Sequence, residues 1–161
     1  MDPKFPVVAT GGTFDEIHIG HIMLLAKAFE VGNKVIIGIS SDEFAAKRGK
    51  KINHNFEQRV DALKKMIRKE FGDENINYEI AKLEGDFGPI VTTTEELGAL
   101  VASAETGLKG KILNQLREQR GLKPVKIITV DLVRAEDGLP ISSTRIRAGE
   151  IDSKGRILDR R

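Results

Sequence analysis

Short apolar runs alternate along this chain with stretches whose apolar residues recur every three to four positions, and this alternation restricts the fold more than any other feature. Strands so continuously apolar are buried on both faces, so helices must carry the chain from one parallel strand to the next. Val7–Ala9 reads as the first strand. Ile22, Leu25 and Phe29 mark a helix from about Gly20, ended by Gly32 as a C-cap glycine, and Val35–Ile37 follows as the second strand. Phe56, Val60, Leu63, Ile67 and Phe71 trace a longer amphipathic helix closed by Gly72, with Tyr78 and Ile80 in a third strand and Leu100–Ala102 in a fourth. Leu108, Ile112 and Leu116 trace a further helix, and after the break at Arg120–Pro124 the residues Val125–Val130 form a fifth strand. The expected class is α/β: a Rossmann-like three-layer sandwich around a parallel five-stranded sheet, with residues 1–161 as a single domain. In such sheets ligands bind beyond the carboxyl ends of the strands where strand order reverses, so the loops after strands one, four and five are where chemistry is sought.

Composition narrows the function classes. Hydrophobic residues make up 40% and charged residues 31% of the chain, which suits a packed globular protein and not a disordered one. A net charge of +2 is too small for bulk adhesion to nucleic acid or an acidic membrane, so any bound anion must be captured locally. With no cysteine, a disulfide framework, a thiolate metal site and a cysteine nucleophile all drop out. Residues 1–6 lack the apolar core of a signal peptide and no run is long enough to span a bilayer, so the expectation is a cytoplasmic protein without a membrane partner. Residues 109–126 carry six Lys/Arg against the single Glu118, which admits an RNA-binding or nucleotide-sensing module as the rival of another class. That stretch has no interleaved aromatics for base stacking, so no nucleic-acid partner is expected.

Directly after the first strand the chain reads Gly11-Gly12-Thr13-Phe14-Asp15-Glu16-Ile17-His18-Ile19-Gly20-His21. Two glycines allow a tight turn and close backbone approach, Thr13 offers a hydroxyl, and the N–H groups at a helix start favour an anion. The three-residue spacing of His18 and His21 puts both imidazoles near one face of the first turn, where they can donate to phosphate oxygens, and Gly20 keeps the space between them open. Two histidines bracketing a glycine at a strand-to-helix switch favour function over simple capping. No third ligand lies in a pattern with them, so no protein metal site is expected. His54, between Asn53 and Asn55, reads as a solvated loop residue, and Asp15 and Asp137 read as turn residues.

A second cluster follows the fifth strand: Ala135-Glu136-Asp137-Gly138-Leu139-Pro140-Ile141-Ser142-Ser143-Thr144-Arg145-Ile146-Arg147. Ser142 is a good N-cap, so amides of Ser143, Thr144 and Arg145 would emerge from a new helix start beside two hydroxyls. Arg145, with Arg147 as a second candidate, adds positive charge suited to the outer phosphates of a triphosphate.

The Gly-x-Gly-x-x-Gly and Gly-x-x-x-x-Gly-Lys-Ser/Thr patterns are absent, which disfavours dehydrogenases and P-loop kinases. Gly-Thr-Phe-Asp followed by His-x-Gly-His instead resembles the nucleotidylyltransferase superfamily, which carries an Ile-Ser-Ser-Thr-like motif in the second place. The Arg-Gly-Leu-Lys-Pro, Ala-Glu-Asp-Gly-x-Pro-Ile-Ser-Ser-Thr-Arg-Ile-Arg and Gly-Glu-Ile-Asp runs, with the Ser41-Asp42-Glu43 turn, are similar to the archaeal and eukaryotic-type phosphopantetheine adenylyltransferases over nearly the whole chain. The chain departs from them at Ala104, where proline is usual, and at Ala102, where serine is.

This resemblance implies adenylyl transfer from ATP to 4′-phosphopantetheine, giving dephospho-coenzyme A and pyrophosphate in coenzyme A biosynthesis. The same loops could serve flavin mononucleotide, nicotinamide mononucleotide or glycerol phosphate as acceptor, or a cytidylyl donor. It implies an ATP site made by Gly11, Gly12, Thr13, Phe14, His18, His21, Glu105, Thr106, Ile141, Ser142, Ser143, Thr144 and Arg145. Thr13 with Lys50 or Lys51, among the competing Lys47, Lys50 and Lys51, would orient the attacking phosphate, while His18, His21 and the Ser143 region hold the triphosphate. Magnesium is implied with ATP, held mostly by the nucleotide and water, with no protein ligand named and with Asp15 and Asp137 as candidate outer-shell partners beside their turn roles. Assembly into a homo-oligomer is left open.

Overall fold

A computed structural model describes residues 4–74, 76–88, 95–103, 107–131 and 133–158. In chain order the elements are β1 (Phe5–Gly12), α1 (Ile19–Val31), β2 (Gly32–Ser40), α2 (Asp42–Lys47), α3 (Phe56–Phe71), β3 (Tyr78–Leu83), β4 (Leu97–Ser103), α4 (Gly107–Gln119), β5 (Lys126–Val130) and α5 (Ser143–Arg147). The five strands make one parallel sheet in the order β3-β2-β1-β4-β5, an α/β Rossmann-like fold. Strand order reverses between β1 and β4, so the crevice opens above β1.

Strand alternation divides the core. Val8 and Ile37 point to the side packed by Leu25 and Ala28 of α1 and Leu63 and Ile67 of α3, whereas Val7, Ala9 and Ile36 meet Leu113 of α4 on the other. Burying each of these larger side chains contributes roughly 1.5–3 kcal/mol. A smaller cluster of Ala135, Ile141 and Ile151 packs against Ile19. That cluster, with the bond from Ile19 N–H to the Ser153 carbonyl at 3.1 Å, seats the C-terminal segment on the start of α1 and brings the two sequence motifs together.

Four elements differ in detail from the sequence pattern. Gly32 does cap the end of α1, its N–H donating to the Ala28 carbonyl, but with an extended φ of −118° and not a left-handed one, and β2 begins at once. Glycine is needed there because an added Cβ would lie 2.5 Å from Val8 Cγ2. The Ser41-Asp42-Glu43 turn is the capped start of α2, with the Ser41 hydroxyl accepting from Phe44 N–H at 3.0 Å. On α4 the buried face is Gly110, Leu113 and Arg117, and Ile112 is 51% exposed, because the helix is rotated to let Gly110 approach Ile127 of β5. On α3 the apolar stripe is as expected, but fully buried Arg59 sits within it.

Candidate active site

The carboxyl ends of all five strands surround a cavity of about 610 Å³, within the range of small-molecule sites. The loops after β1 and β5 contribute, as strand reversal dictates, and so do Ser40 of β2 and Lys82 and Leu83 of β3. Gly11, Gly12, Thr13, Phe14, His18 and His21 line it from the first motif, Ile141, Ser142, Ser143 and Thr144 from the second, and Lys50 from the segment between α2 and α3.

The two histidines have a specific local cause. His18 is the N-cap of α1 and its Nδ1 accepts from Gly20 N–H at 3.0 Å, while His21 Nδ1 accepts from His18 N–H at 3.1 Å, a reciprocal capping box made of imidazoles. The rings stack with centroids 3.9 Å apart. Gly20 is required because an added Cβ would lie 2.7 Å from His18 Cε1; it makes room for the capping ring itself and not for a ligand between the rings.

With both Nδ1 atoms acting as acceptors, the neutral rings carry their protons on Nε2, so each presents one N–H donor on its outer edge. Burial pushes the His18 pKa down to about 4. Burial, with the neighbouring His18 as a smaller cause, holds His21 well below its usual value too. Both are therefore neutral donors at pH 7.

Phe14 packs in the core at 1% exposure, its ring 4.8 Å from that of His21, so its side chain is structural while the residue borders the cavity. Its φ of 55° is the left-handed region, which for a bulky residue costs about 1–3 kcal/mol and persists only where the surroundings fix it.

The second motif folds as α5, with the Ser142 hydroxyl accepting from Arg145 N–H at 3.2 Å. Ser143 Oγ donates to the Glu16 carbonyl at 3.0 Å, so this hydroxyl joins the two motifs. Arg145 and Lys51 are not among the residues lining the cavity. Arg145 Nε donates to Glu150 Oε2 at 2.9 Å and its other end pairs with Asp137, which is thereby more than a turn residue. Arg147 does line the cavity. Glu105 and Thr106 lie outside the described residues.

Asp15 and His54 also differ from expectation. Asp15 is buried and accepts from the backbone N–H groups of Asn53 and His54 and from Arg147, and His54 Nδ1 lies 3.1 Å from its Oδ1. His54 is thus a partnered residue that helps to fix the segment leading into α3.

Arg48, Lys82 and Lys109 are cavity-lining cations that the sequence reading missed. With Lys50 and Arg147 they exceed the cavity's acidic residues Asp15, Asp86 and Asp131, which suits a site for phosphorylated ligands. A charged residue near the carboxyl end of a parallel strand, as Lys82 is, was the available signal.

Asp15, Glu16 and His54 are close enough to surround a cation, but Arg147 Nη1 lies 2.7 Å from Asp15 Oδ2 and two backbone amides occupy the same carboxylate. This donor set does not fit a protein-held metal.

Residues 9–149 match the cytidylyltransferase-like family. A phosphopantetheine adenylyltransferase of Methanothermobacter thermautotrophicus is 44% identical over 160 residues, covering 99% of this chain and 94% of that protein. One from Thermococcus kodakarensis is 41% identical, covering 98% and 94%. The chain belongs to the phosphopantetheine adenylyltransferase family. Among solved structures, a protein of unknown function from Archaeoglobus fulgidus superposes with a TM-score of 0.69 at 31% identity, covering 77% of this chain and 88% of that one. Tyrosyl-tRNA synthetase from the same organism, at 13% identity, TM-score 0.61, and coverage of 87% and 59%, shares the fold alone.

Proposed function

We propose that the protein transfers the adenylyl group of ATP to 4′-phosphopantetheine, releasing pyrophosphate and dephospho-coenzyme A. The observation that carries this reading is the stacked pair of neutral imidazoles, each with its Nε2–H free to donate, at the mouth of a helix in a cation-rich cavity. The acceptor follows from relatives named for it that match nearly the full chain.

No protein nucleophile is required. An oxygen of the acceptor phosphate attacks the α-phosphorus in line, the bond from that phosphorus to the bridging oxygen breaks, and its electron pair leaves with pyrophosphate. Catalysis is then positioning and charge stabilisation. His18 and His21 donate to phosphate oxygens without adding a proton that could be lost, and the backbone at Gly11 to Phe14 and at Ser142 to Thr144 allows close approach. Lys50 and Thr13 hold the acceptor phosphate, and Arg48 and Lys82 extend the positive lining toward it. A divalent cation enters on the triphosphate.

Incubating the protein with ATP, magnesium and each candidate acceptor, and following pyrophosphate, tests the reading. Release should depend on 4′-phosphopantetheine. Turnover with flavin mononucleotide, nicotinamide mononucleotide or glycerol phosphate but not with phosphopantetheine would assign a different acceptor.

A further inference from the structure

Arg59 of α3 lies outside both motifs and has no exposed surface. Its guanidinium is committed to the frame of the cavity. Nη1 donates to the carbonyls of Thr13 at 2.9 Å and Ser40 at 2.8 Å, Nε donates to the His54 carbonyl at 3.1 Å, and Nη2 pairs with Asp42 Oδ1 at 2.7 Å. The Thr13 carbonyl belongs to the same peptide as the Phe14 N–H. In a trans peptide the two point in opposite directions, so fixing the carbonyl on Arg59 turns the amide away from it. Thr13 and Phe14 both line the cavity beside His18 and His21, and among the described residues the Phe14 N–H has no acceptor.

This peptide has a competing orientation. Rotating it by half a turn would return Phe14 from its φ of 55° to the extended range that bulky residues prefer, and would present the Thr13 carbonyl oxygen where the N–H now is. A carbonyl there repels phosphate, whereas an N–H attracts it. We propose that Arg59 is a positioning residue which, by holding the Thr13 carbonyl, keeps the strained Thr13–Phe14 peptide turned so that its N–H faces the phosphate being transferred. This rests on the adenylyl-transfer reading for the identity of that phosphate.

Lysine at this position keeps the charge but, as a compact ammonium, cannot reproduce the planar fork that reaches three carbonyls and a carboxylate. Arg59→Lys should lower kcat by about 10²-fold, the usual scale for losing one preorganised donor, while KM for both substrates changes by less than about threefold. Asp42→Asn removes the ion pair and leaves the three carbonyl bonds, so its kcat should stay within about threefold of wild type. In the wild-type protein, ATP alone should shift the Phe14 amide resonance in a 1H–15N spectrum, and Arg59→Lys should lose that shift. A Phe14 amide unmoved at saturating ATP, or equal losses of kcat in the two variants, overturns the proposal. If Arg59→Lys fails to fold, Arg59→Gln is read in the same two assays, and a wild-type Phe14 amide unmoved by ATP still overturns the proposal. A wrong acceptor would instead appear as wild-type protein inactive with phosphopantetheine, leaving the ATP-dependent shift readable.

Discussion

Arg147 Nη1 donates to Asp15 Oδ2 at 2.7 Å across 132 residues of sequence. The same carboxylate accepts from Asn53 N–H at 3.0 Å and His54 N–H at 3.0 Å, so one buried side chain gathers the loop after β1, the segment following Lys50, and α5. Burial alone would raise the Asp15 pKa, but the donors from Asn53, Arg147 and His54 outweigh it and the net shift is downward.

Asp15→Asn replaces an acceptor by a group that presents N–H to N–H. Breaking a buried ion pair by removing one partner costs about 3–5 kcal/mol, and urea unfolding of the variant should show a loss on that scale together with weakened turnover. The pH dependence has a definite sign. Because folding lowers this pKa, the stabilisation is fully present above the ordinary value of 3.8 and is lost as pH falls from there through the lower folded value. The wild type should therefore lose more stability than the variant on acidification below that value. A variant as stable as wild type at pH 7 would show that Asp15 does not hold the segments together.

The two imidazoles should remain neutral through the physiological range. The unfolded chain protonates His18 near 6.5 and the folded chain near 4, so stability should fall as pH drops between those values and be indifferent to this group above 7. With one pKa unit worth about 1.4 kcal/mol, His18 alone contributes on the order of 3 kcal/mol to that fall. Nitrogen-detected NMR should show Nε2-protonated rings from pH 8 to below 6. A ring titrating near its ordinary value would show that the cavity does not desolvate it. His21→Ala should lower turnover by about 10²- to 10³-fold. It also deletes the bond to His18 N–H, so a stability loss of about 0.5–2 kcal/mol is expected alongside.

The order of the strands and of α1 and α3 was legible because the central strands are short apolar runs and these helices show their stripe, whereas α2 read only as a turn and the stripe of α4 was misplaced. Both motifs announced themselves by composition at strand ends. What stayed hidden depends on rotation and long-range pairing. Ile112 and Leu113 are adjacent and equally apolar, and only the approach of Gly110 to Ile127 decides which is buried. Arg59 gave no signal in the sequence, since nothing local predicts that three carbonyls from separate segments converge on it. His54 was read as solvated because its partner, Asp15, lies 39 residues away.

Lys50 and Lys51 are neighbours that sequence could not separate; both are exposed, and only Lys50 is in the cavity lining. Lys50→Ala should raise KM for 4′-phosphopantetheine by about tenfold or more, as expected for losing a charge-assisted contact of roughly 1.5–3 kcal/mol. Lys51→Ala should stay within about twofold of wild type, since an isolated solvated lysine contributes little. The reverse ranking would mean that this segment rearranges when substrate binds.

Arg145 is the residue for which sequence pattern and structure give different expectations. Its place after Ile-Ser-Ser-Thr suggests a phosphate contact, yet its guanidinium donates to Glu150 and to the Pro140 carbonyl, and pairs with Asp137. The hydrogen bonds that Arg145 donates to Asp137 and Glu150 raise its pKa, consistent with a cation already neutralised by two carboxylates. Moving it onto a triphosphate would strand both acids, whereas Arg147, two residues along the same short helix, already lines the cavity. Arg145→Ala should therefore lower the melting temperature by loosening the turn over residues 135–140, while calorimetry finds ATP affinity within about threefold of wild type. Arg147→Ala should weaken ATP binding by more than that, because it removes a lining cation and leaves Asp15 without its guanidinium partner. Tenfold weaker ATP binding in Arg145→Ala at an unchanged melting temperature would instead show that Arg145 leaves its carboxylates for the nucleotide.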